Sequence, residues 1–101
     1  MITRIVRMAF VPARVDDFLA HFGRIHELIR DYPGVQHLEL HRDAGQPNVF
    51  YTYSKWDNAA ALENYRRSDL FKGAWGEVKP WFSEKAQAFS LVEEAVSGSG
   101  G

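Results

Sequence analysis

Cysteine is absent from the 101 residues, which excludes disulfides, thiolate nucleophiles, zinc–cysteine sites and iron–sulfur clusters together. There is no apolar run near the roughly 18 residues a membrane helix requires. The opening MITRIVRMAF lacks the long apolar segment and small-residue cleavage site of an export signal, so a cytoplasmic protein is expected. An excess of positive charge is also missing: 12 basic residues stand against 13 acidic ones, interspersed, for a net charge of -1. A nucleic-acid partner needs a basic face, and none is visible. Neither G-x-G-x-x-G nor G-x-S-x-G occurs, which argues against a dinucleotide site or a serine-hydrolase elbow in this chain.

What is present is one ordinary globular domain, with 46% hydrophobic and 25% charged residues, and an unusual concentration of aromatics. All three tryptophans, with Tyr65, Phe71 and Phe82, lie between Trp56 and Phe82. That is more aromatic surface than core closure demands, so part of it is expected to line a pocket.

Residues 2 to 10 are rich in β-branched and apolar types and predict a strand, with Arg4, Val6, Met8 and Phe10 on one face and Thr3, Ile5, Arg7 and Ala9 on the other. Pro12 opens a turn or helix. Val15, Phe18, Leu19, Phe22, Ile25, Ile29 and Tyr32 then recur at helical spacing until Pro33 and Gly34 end the segment. Residues 35 to 42 alternate as a half-buried strand, DAGQPN turns the chain, and residues 49 to 56 return as its antiparallel partner. Asp57 is expected to cap a short helix, NAAALENYRR. Ser68 is expected to cap another, whose Phe71, Trp75, Val78 and Phe82 share a stripe that Pro80 limits. Residues 84 to 93 predict the last strand. Residues 1–95 form the expected domain, and 96–101, closing in SGSGG, a flexible tail.

This order, strand, helix, strand, strand, helix pair, strand, is the α+β ferredoxin-like split βαβ arrangement, a four-stranded antiparallel sheet with its helices on one face. The other face would be bare yet carries Ile5, Ala9, Val49, Tyr51 and Tyr53. A second copy of the chain is therefore expected to cover it, as a homodimer.

Trp56 closing the third strand, the following N-A-A-A-L-E-N-Y and the S-D-L-F-K-G-A-W helix resemble the antibiotic biosynthesis monooxygenase (ABM) domains of the dimeric α+β barrel superfamily, over residues 2 to 93. The resemblance implies one of several roles: a cofactor-free monooxygenase, thus an oxidoreductase, acting on a quinol or polycyclic aromatic; a non-enzymatic ligand-binding or stress-associated dimer; or a lactone isomerase. A haem-degrading branch of the family keeps a ligating histidine, a tryptophan and an asparagine at positions matching Trp75, Tyr65 and Val6. None of those three is kept, which argues against haem chemistry and leaves no cofactor expected.

Phe22 and His26 of the first helix, with Tyr65, Phe71, Trp75 and Phe82, are the residues expected around the pocket, and a small aromatic ligand suits such walls. His26 is the candidate general base, because an unperturbed imidazole titrates near pH 6.5 and can take a phenolic proton. At about 100° per residue His21 lies roughly 140° away from it, so the two are not expected to act together. His37, Glu39 and His41 share a strand face, but three ligands about 7 Å apart along one strand are too spread to close a metal site, and no metal is expected. Arg4 and Arg7 occupy opposite faces of a central strand. The one facing the cavity, taken as Arg4, can orient an acidic or phenolic ligand, or else pair with Glu39 or Glu93.

Overall fold

The computed structural model describes residues 1–98; the rest of the expected tail, residues 99–101, lies outside the described residues. The first strand, β1 (Ile2–Ala9), leads through a 3₁₀ turn at Pro12–Arg14 into helix α1 (Val15–Arg30). Strands β2 (Val35–Arg42) and β3 (Val49–Trp56) form the hairpin, helices α2 (Ala59–Arg66) and α3 (Asp69–Val78) the helix pair, and β4 (Gln87–Leu91) returns to the sheet. The sheet order is β2-β3-β1-β4, every neighbouring pair antiparallel. This is the ferredoxin-like α+β arrangement read from the sequence.

Register assigns the faces. Arg4 pairs with Ser54 and Ser90, Val6 with Thr52 and Ala88, and Met8 with Phe50. Successive side chains alternate across the sheet, so these residues share the helix-covered face and Thr3, Ile5 and Arg7 take the open one.

Local chemistry sets the helix boundaries. The Asn58 side chain accepts from Ala61 N at 2.8 Å, so the cap of α2 is Asn58 and not Asp57; its β-region backbone and short amide oxygen satisfy a free N–H of the first turn. Ser68 caps α3 as expected, accepting from Phe71 N at 3.1 Å while donating to Tyr65 O at 2.6 Å. Pro80 cannot donate the next helical hydrogen bond, and α3 tightens into a 3₁₀ turn, Lys79–Trp81. Phe82 is therefore not on the helix stripe but in extended backbone, bridged to Phe10. Strand β4 is shorter than the expected 84–93, because its pairing with β1 covers only Gln87 to Leu91. Gly34 turns α1 into β2 at φ +92, a conformation glycine adopts without strain.

The core is in two parts. One packs Met8, Phe10, Phe18, Phe50 and Val78. The other packs Ile29, Trp56, Leu62 and Tyr65. Phe10 and Phe18 stack with centroids 4.2 Å apart, and Trp56 lies 4.9 Å from Tyr65. Such pairs add to the stabilisation from simple burial.

Candidate functional site

Between the two core clusters the helices stand off the sheet and leave a cavity of about 340 Å³. Its floor is the sheet, Arg4, Val6, Met8, Thr52, Ser54 and Ala88; its walls come from α1, α2 and α3. The volume is at the small end for ligand sites, enough for roughly two to three fused rings.

Of the residues expected around a pocket, Arg4, Phe22, Tyr65, Phe71 and Trp75 line this cavity. Phe71 and Trp75 lie one helical turn apart and nearly parallel, centroids 5.9 Å apart at 10°, which makes a flat apolar wall. Trp75 lines the space and does not plug it. Phe82 is not among the lining residues: it packs behind Trp75 at 5.4 Å and against Phe10 at 5.3 Å, a consequence of Pro80 ending the helix.

His26 is likewise not among the lining residues. It stacks on Phe22 at 5.9 Å, and its Nδ1 donates to Gly23 O at 3.2 Å. The histidine at the cavity is His21, only 2% exposed. The two flank the apolar stripe of α1 on opposite sides, and α3 packs on the His21 side. His21 Nε2 donates to Ala74 O at 3.2 Å, the only assignment a carbonyl allows. Nδ1 lies 3.1 Å from Glu77 Oε2 without hydrogen-bond geometry. Both ring nitrogens therefore face α3, and His21 joins α1 to α3 while presenting its ring to the cavity.

Tyr65 is buried at the junction of α2, α3 and the sheet, edge-on to Tyr32 at 5.4 Å and to Phe71 at 5.3 Å. Its hydroxyl has no hydrogen-bond partner among the described residues. Removal from water, with a smaller contribution from Tyr32, pushes its pKa up to about 12. It is a neutral hydrogen-bond donor at any physiological pH.

Two cations complete the polar end. Arg4 Nη1 donates to Ser90 Oγ at 2.8 Å, and Arg66, from the last turn of α2, lines the same cavity. Arg66 is solvent-exposed, so this end opens to water. Burial, and then repulsion by Arg66, lower the Arg4 pKa, with Glu63 opposing. Arg4 has no ion pair with Glu39 or Glu93. The open-face Arg7 pairs instead with Glu84, where β4 approaches β1. Sequence inspection missed Arg66 because the last turn of a solvated helix carries no sign of what it overhangs.

On the open face Glu39 bridges the two histidines of its strand, one oxygen on His37 and the other 2.6 Å from His41 Nε2. Hydrogen bonds from His37, then His41, hold the Glu39 carboxyl below its ordinary range. No cluster of three or more His, Asp or Glu among the described residues can hold a metal. Haem does not fit the cavity's donor set either: Trp75 stands at the matching ligand position, and the lining histidine, His21, directs Nε2 to Ala74 O and Nδ1 towards Glu77, both on α3.

A ferredoxin-like sheet with an aromatic-lined cavity beneath three helices defines a class of small α+β domains. Within it the chain belongs to the antibiotic biosynthesis monooxygenase (ABM) family, whose profile matches residues 1–75. The fold is shared with a crystal structure of an antibiotic biosynthesis monooxygenase, at TM-score 0.86 and 20% identity over 96% of this chain and 100% of that one. It is shared also with a conserved protein from Methanosarcina mazei Go1, at TM-score 0.87 and 16% identity over 93% and 94%. Rv0793 from Mycobacterium tuberculosis aligns at TM-score 0.86 and 14% identity over 95% and 97%. At these identities the likeness is one of fold. No curated protein matches the sequence. No helix among the described residues is long and apolar enough to cross a membrane.

Proposed function

We propose that the chain is a cytoplasmic, cofactor-independent monooxygenase of a quinol-like or polycyclic aromatic substrate, working as a homodimer through the open sheet face. The observation that carries this reading is the apolar cavity with one polar end, floored by Arg4 and walled by the parallel rings of Phe71 and Trp75. A flat ring buries its surface there without a charged partner.

The electrons come from the substrate. An anthrone methylene takes one atom of O₂ as its new carbonyl oxygen, and the other leaves as water with the two methylene hydrogens. The protein's task is to favour the ionised, electron-rich substrate and keep it dry. The positive field of Arg4 and Arg66 favours the phenolate, and the neutral Tyr65 hydroxyl can donate to its oxygen. The proton leaves to water at the open end, so no protein base is needed within the cavity.

What supports the dimer is the open face. His41, Tyr51, Arg7 and Gln87 form one cross-strand row, and Glu39, Tyr53, Ile5 and Phe89 the next. Phe89 is 51% and Leu91 46% exposed, uncovered apolar surface that a second copy would bury.

A second reading, a non-enzymatic ligand-binding dimer, is favoured by one observation: no cavity-lining side chain is a carboxylate, and the only lining histidine has both nitrogens turned away. A lactone isomerase needs an acid–base pair that this lining does not supply. Oxygen uptake during incubation with hydroquinones and anthrones separates the two readings. Monooxygenation predicts stoichiometric O₂ consumption and products absent under nitrogen; identical products with and without oxygen refute it, and tight binding without turnover supports the second reading.

A further inference from the structure

Among the described residues Arg4 is a half-buried guanidinium with no carboxylate within ion-pair distance, whereas every other arginine except Arg42 has one. Arg42 instead lies over the Phe50 ring, 4.7 Å from its centroid. Arg4 stands on the cavity floor, held at one nitrogen by Ser90 Oγ, a neutral partner. Arg66 lines the same cavity, and its carboxylate, Glu63, is shared with Arg67 at 3.5 Å and 3.2 Å. Two guanidinium groups thus already share the one nearby carboxylate, and Arg4 is left without a partner anion. A cation drawn partly out of water without a counter-ion is unfavourable, and a partner anion removes that cost.

We infer that the ligand of this cavity is an aromatic acid whose ionised carboxylate sits between Arg4 and Arg66 while its ring lies against Phe71 and Trp75. The inference rests on the cavity being the ligand site and adds the ligand's charge. A phenol arrives neutral and cannot offset the Arg4 charge on entry; a carboxylate arrives already ionised. Two planar guanidiniums also match a carboxylate's two oxygens in geometry as well as sign.

The test compares naphthoate with naphthamide, the same ring with a charged or a neutral group, read by quenching of Trp56 and Trp75, which both line the cavity. The acid is expected to bind roughly ten- to a hundredfold tighter, the range of hydrogen bonds to charged groups, and added salt should weaken the acid alone. Arg4→Gln and Arg66→Gln should each reduce the acid's preference over the amide to within a few fold. Arg67→Gln, outside the lining, should keep it.

Equal binding of acid and amide by the unaltered protein overturns the carboxylate inference and leaves the cavity reading standing. If neither probe quenches, the cavity reading itself fails. If Arg67→Gln removes the preference as fully as Arg66→Gln, a general surface field and not this pair is responsible, and the inference is again overturned. The comparison on unaltered protein does not depend on any variant folding.

Discussion

Tyr65 offers the sharpest test of the cavity's physical character. An unfolded tyrosine ionises near pH 10, whereas burial holds Tyr65 neutral to about 12. The folded pKa is raised, so the associated stability is fully present below pH 10 and is lost as pH rises through 12. Two pH units at about 1.4 kcal/mol each give roughly 3 kcal/mol in full, of which about 2 kcal/mol is lost by about pH 11.5. Urea unfolding of the protein and of Tyr65→Phe at about pH 9 and about pH 11.5 isolates this group, because the lysines titrate alike in both. Near pH 9 the two should differ by less than about 1 kcal/mol, since the hydroxyl has no protein partner to lose. At the higher pH Tyr65→Phe should be more stable by about 2 kcal/mol relative to that baseline. Phenolate absorbance should show one of the four tyrosines ionising late, and Tyr32→Phe should return the smaller part of the shift. A single tyrosine class near pH 10, or a pH-independent difference between the two proteins, would refute the claim that this hydroxyl is desolvated.

Trp75→Ala removes a half-buried ring that stacks on Phe71 and touches Phe82; urea unfolding should show a loss of about 2 kcal/mol, and flat ligands should bind at least tenfold more weakly, with Trp75→Phe intermediate. Gly34→Ala forces a left-handed backbone on alanine and puts its Cβ 2.5 Å from Ala61 Cβ, for a cost of roughly 2–4 kcal/mol. Adding Ala61→Gly should relieve the clash and leave the backbone strain, so a double variant as unstable as the single one contradicts the contact. Ile5→Asp places a charge in the middle of the open face, opposite Tyr53 and Phe89. Sedimentation should find the unaltered protein near twice 11.5 kDa and the variant at monomer mass, and a monomer in both cases removes the proposed dimer.

The fold was legible because its signals are local or periodic. Leu38 and Leu40 alternate with His37, Glu39 and His41, and that alternation places β2 and its faces without knowledge of its neighbours. Ser68 and Pro80 act within one turn of chain, so the start and stop of α3 were also readable, although the same proline should have warned that Phe82 leaves the helix. The site was less legible, because a cavity is decided between elements. His21 and His26 are nearly symmetric about the α1 stripe, and only the approach of Ala74 and Glu77 from α3 makes one buried and the other not. Arg66 looked like any solvated helix terminus until α2 was set above Arg4.

The placement of the two histidines bears on the chemistry. With His26 outside the lining and His21 clasped to α3, the proposed loss of the substrate proton does not depend on an imidazole, and the charged or donor groups among the lining residues are Arg4, Arg66 and the neutral Tyr65. Such a set is not one that abstracts protons; in the proposed reading it would stabilise an anion. His26→Gln should therefore leave ligand affinity and any turnover within about twofold, because its imidazole touches Phe22 and Gly23 and no cavity space. His21→Leu should instead loosen α1 from α3 and lower stability, by roughly 1–3 kcal/mol for a buried hydrogen-bonded group. A loss of turnover in His26→Gln with affinity and stability intact would restore the imidazole as base and overturn the anion-stabilising account.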